Sequence, residues 1–430
     1  MYITNLSLKN IRSLRSITWK IEPNQCAGWH VIIGDNGSGK STFLKAISLV
    51  LIFNQFDALR QDKNEWLNRN AENGYISLEL LMDSDNDRFI GKGNTPKSKS
   101  NPLPIKIELN RSQNQVSIKK YTQQKKGAIE PSRYIWGETV KGWFSAAYGP
   151  FRRFSGGDKD YQKLFYSHPR LAAHLSIFGE NIALGESIEW LKELQFKKLE
   201  SQSEYSLIDT LISFFNNTEL LPHGTKINKI SSEGVELLDG NGCPLLVEEL
   251  SDGYRSILSM TFEMIRQLVQ VYDAKQIFGG ENQSQIIAPG VVLIDEIDVH
   301  LHPTWQKNIG VWFCKHFPNI QFIVSTHSPI ICQAATHGTI YRLPKPGSNE
   351  TGQMMTGQNL NRLLYGNILD AYGTESFGED VTRSEVSRQK QTRLAQLNQK
   401  ARYEPLTEEE RQEQQTLQAM MPSNPGTLAL

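Results

Sequence analysis

The sequence predicts an α/β fold, because segments typical of buried strands alternate with segments of helical periodicity. Residues 29–33 (WHVII) form a strand-like run that ends at Gly34, and apolar residues at helical spacing follow from Phe43 to Leu51. Two later runs, residues 290–294 and residues 321–325, have the same strand-like character and are also followed by polar side chains. Because α/β folds gather their ligand groups at the ends of parallel strands, we expect a functional site after these segments.

Composition and charge define the broad class of protein. The chain has 430 residues, of which 39% are hydrophobic, and its 46 Lys and Arg residues balance 46 Asp and Glu residues. This composition is typical of a folded soluble protein, and zero net charge excludes attraction of the whole molecule to nucleic acid. The sequence has no signal-like or membrane-spanning apolar run, and its four scattered cysteines are typical of free thiols in a reducing compartment. We therefore expect a cytoplasmic protein that does not associate with a membrane.

The loop after the first predicted strand is a complete phosphate-binding motif. Its sequence, GDNGSGKS, satisfies every position of GxxxxGK[ST]. Glycines allow the backbone to curl so that its N–H groups face phosphate oxygens, and the following helix adds its positive N-terminal end. Lys40 would reach the β- and γ-phosphates of ATP, and the Ser41 hydroxyl would bind Mg²⁺. The predicted nucleotide-binding residues of this loop are Gly34, Asp35, Asn36, Gly37, Ser38, Gly39, Lys40, Ser41 and Thr42.

The two later strands end in groups suited to phosphate chemistry. Asp295 and Glu296 follow the run GVVLI, which places Asp295 to hold Mg²⁺ and Glu296 to deprotonate an attacking water. A solvated strand end is the alternative, and the phosphate loop in the same chain argues against it. His327 follows the third strand, where an imidazole can contact a γ-phosphate. We therefore predict Lys40, Glu296 and His327 as the catalytic group.

Two segments are candidates for a signature that presents donors to phosphate from the start of a helix. They are residues 154–158 (FSGGD) and residues 250–256 (LSDGYRS). Only the second precedes an amphipathic helix, with Leu258, Phe262 and Ile265 on one face. Ser251 is therefore preferred to Ser155 as the signature serine.

The complete set of motifs resembles the ABC-type ATPases of the RecF, SMC and OLD kind within the AAA group. The motifs are LKNIRSL, GDNGSGKS, LSDGYRS, LIDEIDVHLHP and STHSP, in the order found in that family. The resemblance implies an ABC-type P-loop ATPase head over residues 1–345, with a mixed sheet core, a β-hairpin lobe and a helical insertion at about 55–247. It also implies a homodimer or higher oligomer, in which ATP and Mg²⁺ lie between the phosphate loop of one head and the signature of the other.

Further site residues follow from this resemblance alone. Arg12 would lie beside the nucleotide, Ser251 and Gly253 would contact the nucleotide of the partner subunit, and Asp298 would be the aspartate of the D-loop. The sequence departs from the family in lacking an unambiguous Q-loop glutamine, for which residues 144–153 are the alternative. It also lacks the heptads of the long SMC coiled coil.

One segment of the insertion could contact nucleic acid. Residues 92–133 contain ten basic and two acidic residues, a net charge of +8. This stretch could bind a phosphate backbone or an acidic partner, and a solvated loop is an equal alternative.

Residues 346–430 form a polar, Gln-rich C-terminal region for which we predict helices and a role in interactions. An apolar seam of Leu394, Leu397, Leu406 and Leu417 suits packing on another surface, or folding back on the chain itself. The region lacks a nuclease signature and resembles the C-termini of stand-alone ATPases in anti-phage systems such as Septu. The sequence thus favours an ATPase that controls a partner effector, a nuclease, in anti-phage defence. The alternatives are a RecF-like DNA-repair ATPase that binds DNA directly and an ATP-stabilised scaffold with little turnover.

Overall fold

A computed structural model describes most of the chain, which divides into two compact units, residues 1–366 and residues 367–430. The described residues are 1–59, 61–92, 102–121, 128–137, 140–152, 167–179, 184–200, 207–280, 283–348, 350–367 and 385–420. Residues 346–366, predicted from the sequence to belong to the C-terminal region, are part of the first unit.

A six-stranded sheet forms the centre of the first unit. Its strands, in spatial order, are β16 (Gln353–Met354), β15 (Gly338–Arg342), β3 (Gly28–Ile33), β14 (Ile320–Ser325), β13 (Gly290–Ile294) and β7 (Ser145–Tyr148). All neighbours are parallel except the edge pair β15–β16. The three strands predicted from apolar runs are fully buried and adjacent, so their carboxyl ends meet at one edge.

A five-stranded antiparallel sheet covers this centre. Its order is β2 (Leu14–Lys20), β1 (Tyr2–Ile11), β4 (Asn73–Leu81), β5 (Leu103–Ser112) and β6 (Gln115–Lys120). Strands β5 and β6 form a hairpin whose turn has positive φ at Gln113 and Asn114, as a tight hairpin turn requires. The Gln321 side chain on β14 joins the two sheets, since it bonds both the N–H (2.7 Å) and the carbonyl (2.8 Å) of Ile3.

Helix α1 (Lys40–Leu51) contacts strands of both sheets, and nearly all of its residues are buried. A buried histidine joins α1 to β7: the Nδ1 of His174 lies 2.7 Å from the Ser48 hydroxyl, and its Nε2 lies 3.0 Å from the Ser145 hydroxyl. Burial and then the charge of Arg170 lower the pKa of His174 to about 3, so the imidazole is a neutral structural link. The helix that carries the phosphate loop is therefore fixed against the sheet edge strand.

The remaining part of the first unit contains helices and short strands. A small antiparallel sheet contains β8 (Lys226–Ser231), β9 (Gly234–Leu238) and β10 (Pro244–Leu246), with a turn at residues 239–242 between β9 and β10. Strand β11 (Phe278–Gly279) pairs with β12 (Gln285–Ile286). The helices are α2 (Pro169–Ala172), α3 (Leu175–Phe178), α4 (Glu186–Glu200), α5 (Leu207–Asn217), α6 (Asp252–Val271), α7 (Ala274–Ile277), α8 (Pro303–His316), α9 (Pro329–Cys332) and α10 (Gly357–Tyr365).

The second unit contains a hairpin of two helices, α11 (Glu385–Tyr403) and α12 (Glu408–Met420). A capping box begins α12, because Thr407 and Glu410 exchange backbone-to-side-chain hydrogen bonds of 3.0 and 3.2 Å. Leu397 and Leu417 are buried, and ion pairs Arg393–Glu413 and Lys400–Glu410 join the helices. Two of the four leucines of the predicted seam are therefore buried, whereas Leu394 and Leu406 are half-buried.

No single helix among the described residues has both the length and the apolar character needed to cross a membrane. The bent pair Lys40–Leu51 and Phe53–Leu59 reaches that composition, and α1 is part of the core described above.

Candidate functional site

The phosphate loop connects β3 to α1 at the edge where the central strands end. Gly34, Gly37 and Gly39 have φ values of 154°, 79° and 97°, so the loop curls through conformations that favour glycine. A Cβ at Gly39 would lie 2.7 Å from the Leu14 side chain, which would have to shift, and the φ of 97° would strain any larger residue there. The loop tip is exposed at Asp35 to Gly37, whereas Ser38 and Lys40 are buried.

Two polar groups of the loop suit an anion. The buried Ser38 hydroxyl has no hydrogen-bond partner among the described residues. The first N–H groups of α1, at Lys40, Ser41 and Thr42, lack intrahelical acceptors, as in any helix start. A phosphate would satisfy groups of both kinds, so the loop fits the ligand that its sequence predicts.

The Lys40 ammonium folds back over the loop. It donates hydrogen bonds to the carbonyls of Gly34 (2.7 Å) and Asp35 (3.0 Å). Burial lowers the pKa of Lys40, and the negative charges of Glu296 and then Asp295 oppose that shift. The structure thus brings the predicted lysine and both predicted carboxylates into one electrostatic group.

Asp295 and Glu296 follow β13 and are both held by Ser325 at the end of β14. The Ser325 hydroxyl donates to Asp295 Oδ1 (2.5 Å) and accepts the Glu296 N–H (2.8 Å). Glu296 is half-buried and has a φ of 47°, in the left-handed region. Burial, followed by the charges of Asp295 and Asp298, raises the pKa of Glu296.

The turn after Glu296 continues the group. The Thr326 hydroxyl donates a short hydrogen bond to Asp298, which fixes that carboxylate beside β14. His327 is exposed at the same edge, and partial burial followed by the Lys40 charge lowers its pKa, which favours the neutral imidazole. His302 has a different role, because its ring accepts the N–H of Thr304 (3.3 Å) and caps α8.

The preferred signature segment opens α6 as predicted. Ser251 is the exposed N-cap residue, and its side chain makes no capping hydrogen bond. Gly253 is buried, and a Cβ there would lie 2.6 Å from the carbonyl oxygen of His300. The signature therefore packs directly on the turn that follows Glu296. The alternative segment, residues 154–158 with Ser155, lies outside the described residues.

Arg12 lies near the loop without pointing into it. Its guanidinium lies 4.6 Å above the Trp66 ring and 3.8 Å from the Glu65 carboxylate. Its neighbours Ser13 and Leu14 are the residues that approach Gly39. A contact of Arg12 with nucleotide therefore stays a prediction.

Arg152 lies in residues 144–153, the predicted substitute for the Q-loop, and no role for this side chain could be predicted from the sequence. This buried guanidinium donates to the carbonyls of Gly149 (3.0 Å), Asp295 (2.9 Å) and Glu296 (3.1 Å), and to the Ser256 hydroxyl (2.9 Å). Burial lowers its pKa to about 10. The only local sequence feature that could have indicated a role for Arg152 is its position shortly after a Gly-Pro pair at the end of a strand.

The described part of the basic segment does not form a continuous positive surface. Lys106 pairs with Glu108 (2.8 Å) and lies over the rings of Tyr75 and Tyr121. Arg111 and Arg133 donate to backbone carbonyls of their own unit, whereas Lys119 and Lys120 are exposed. Lys92 is also exposed, and the lysines at 97, 99, 125 and 126 lie outside the described residues.

The chain is similar in sequence to a known protein family and to several known proteins. The family described as "AAA domain, putative AbiEii toxin, Type IV TA system" matches residues 30–333. The retron Vc95 probable ATPase of Vibrio cholerae serotype O1 biovar El Tor is 23% identical over 376 residues, which cover 75% of this chain and 72% of that protein. The Septu protein PtuA of Bacillus mycoides (strain KBAB4) is 23% identical over 347 residues, which cover 79% of this chain and 40% of that protein. The chain thus matches less than half the length of the Septu relative.

Among solved structures, an SMC head bound to the C-winged helix domain of ScpA aligns with a TM-score of 0.47 and 16% identity. That alignment covers 83% of this chain and 98% of the other.

Proposed function

The chain belongs to the family described as "AAA domain, putative AbiEii toxin, Type IV TA system", and from this membership we propose that it is an ABC-type ATPase that binds and hydrolyses MgATP. The observation that carries the proposal is the electrostatic interaction of the Lys40 ammonium, which follows β3, with Asp295 and Glu296, which follow β13 on the other side of β14. Bound MgATP would supply the phosphoanhydride bond that water cleaves to give ADP and phosphate.

Each residue of the site has a defined task in this proposal. The loop N–H groups and Lys40 bind phosphate charge, and the Ser41 hydroxyl and Asp295 carboxylate provide oxygen ligands of the kind Mg²⁺ prefers. Glu296 accepts the proton of the attacking water at its carboxylate, for which its raised pKa is a favourable property. His327 donates a hydrogen bond toward the terminal phosphate from the end of β14.

Two substitutions separate nucleotide binding from chemistry. Lys40→Ala should abolish ATP binding, whereas Glu296→Gln should keep binding and lower turnover at least about a hundredfold, because only the base is lost. Lys120→Ala and Glu233→Gln, which change exposed residues of the same types, should leave both properties unchanged. Hydrolysis by Glu296→Gln at the parental rate would show that Glu296 is not the base.

We also propose that two heads close around ATP. The exposed Ser251 at the start of a 20-residue helix leaves a positive helix end free to meet the phosphates of a partner subunit. Light scattering of Glu296→Gln should show a dimer or higher oligomer with ATP and a smaller species without it. A single mass at all ATP concentrations would contradict this closure.

The proposed biological role is anti-phage defence in the cytoplasm with a partner effector, a nuclease. This extends the printed names of the relatives, a retron ATPase and a Septu protein, to this chain. A docking role for the second unit, residues 367–430, is supported because this unit is separate from the first and its described surface includes the exposed Tyr403 and Met420. Deletion of residues 383–430 should preserve ATP turnover and abolish capture of the effector encoded beside this gene. Retention of the effector by the truncated chain would place docking elsewhere.

Two other functions remain open to direct test. Direct DNA binding through residues 92–133 has less support, since Lys106, Arg111 and Arg133 contact their own unit. Salt-sensitive binding of a DNA duplex by the isolated chain would favour it. A scaffold role would appear as tight ATP retention without measurable turnover.

A further inference from the structure

Arg152 connects three elements that the proposed reaction uses. Its Nη1 donates to the carbonyls of Gly149, after β7, and Asp295, after β13. Its Nη2 donates to the carbonyl of Glu296, and its Nε donates to the Ser256 hydroxyl on α6. One side chain thus spans the signature helix and the backbone of the proposed base.

These contacts are made in the interior of the protein. Arg152 is 4% exposed and Ser256 is 1% exposed, so water cannot replace a lost partner. The partners are three carbonyls and a hydroxyl, and the nearby charges of Asp295, Asp298 and Glu296 offset the cost of burying the guanidinium. A buried donor left without an acceptor is costly, so movement of α6 must displace either Arg152 or the turn at Asp295 and Glu296.

A second contact lies on the same face of α6. Gly253, three residues before Ser256, packs against the His300 carbonyl. Residues 295–300 are therefore held by α6 at both ends, through Arg152 at one end and by direct packing at the other. Exposure of Ser251 at the start of α6 would require neither of these two contacts.

We propose that Arg152 is a positioning residue that couples the signature helix to Glu296 of the same chain. The proposal rests on the proposed function: in a closed dimer, α6 of one chain meets the nucleotide of the partner subunit. Arg152 then transmits the position of α6 to the base of its own site. Binding of ATP at one site thereby changes the position of Glu296 at the other site. ATP hydrolysis by the two sites is therefore cooperative.

Ser256→Ala is the sharpest test, because it removes only the α6 end of the link. We expect turnover to fall about tenfold, the rate equivalent of the free energy of one hydrogen bond, with ATP affinity within about twofold of the parent. The Hill coefficient for ATP should fall to about 1, since the sites no longer communicate. Arg152→Lys should have a similar effect, because an ammonium cannot span both elements.

Ser259→Ala is the matched control. This buried serine lies on the same helix, and its hydroxyl donates to the carbonyl of Ser256 within that helix. It should retain the parental Hill coefficient and turnover. A general loss of helix stability would affect both serine variants alike.

Amide hydrogen exchange tests the link between Arg152 and α6 without requiring that the chain hydrolyse ATP. In the nucleotide-free full chain, Ser256→Ala should speed exchange over residues 295–300 relative to Ser259→Ala, because the link to α6 is lost. Equal exchange in both variants would overturn the coupling. A parental chain that never hydrolyses ATP would instead count against the proposed function, while the exchange result still stands.

Discussion

Substitution of Gly253 by alanine would test how closely the signature helix α6 packs against the turn after β13. Replacement by alanine would place a methyl carbon 2.6 Å from the His300 carbonyl oxygen, where real Cβ atoms essentially never come closer than 3.0 Å. The same methyl would contact Trp305 at an ordinary 3.6 Å. Because the close neighbour is backbone, α6 or the turn must move by about 0.4 Å, the difference between the two limits.

Two opposing terms define the expected stability change. Alanine is more favourable than glycine in a helix by up to about 1 kcal/mol, whereas overpacking typically costs about 1–3 kcal/mol. We therefore expect Gly253→Ala to lower the free energy of unfolding by about 0–2 kcal/mol. Turnover should fall more steeply, by about tenfold, because the displaced turn carries Glu296 and catalysis is sensitive to displacements below 1 Å.

Chemical denaturation and ATP turnover measured on the same preparation check both expectations. A second substitution identifies the cause: His300 has a φ of 65°, so His300→Gly should let the turn yield and restore part of the lost turnover. A Gly253→Ala chain that is about 1 kcal/mol more stable than the parent and equally active would refute the close approach.

Further predictions concern the ends of the same site. Ser251→Arg should leave ATP binding intact and stop hydrolysis, because a bulky cation would block the exposed start of α6. Ser155→Arg should change neither ATP binding nor hydrolysis. The reverse result in a turnover assay would favour residues 154–158 as the signature. Because burial and neighbouring carboxylates raise the pKa of Glu296, turnover should fall with acid at a higher pH than an ordinary glutamate would give. Asp298→Asn removes one of those charges, so the acid limb of its pH–rate profile should move to lower pH, and an unmoved limb would mean that another group is titrating.

Local pattern predicted the main framework of the site. The runs around β3, β13 and β14 are continuous and apolar, and burial on both faces of a parallel sheet requires this pattern. The phosphate loop could be located for the same reason, since its glycines, lysine and hydroxyl lie within eight consecutive residues. Lys40, Asp295 and Glu296 consequently share one edge of the sheet as expected.

Side-chain direction could not be predicted in the same way. The family resemblance places Arg12 beside the nucleotide, which stays a prediction, and nothing in the local sequence indicated that its guanidinium would lie over the ring of Trp66. Arg152 depends on three long-range contacts, to Ser256 and to the carbonyls of Asp295 and Glu296. No pattern within the sequence around an arginine records which distant carbonyls it will meet.

The backbone of Glu296 explains why these long-range contacts belong to the site. A left-handed φ of 47° is costly for a residue with a side chain, and such strain persists only where surrounding structure imposes it. Here the N–H is held by Ser325 on β14, and the carbonyl is held by Arg152, which also reaches α6. Since the backbone bonds fix the residue, the carboxylate is left half-buried at the site edge, where it can exchange a proton with water. The strained turn can therefore exist only when β14, β13 and α6 are assembled together, which makes the position of the proposed base a property of the whole head rather than of its motif.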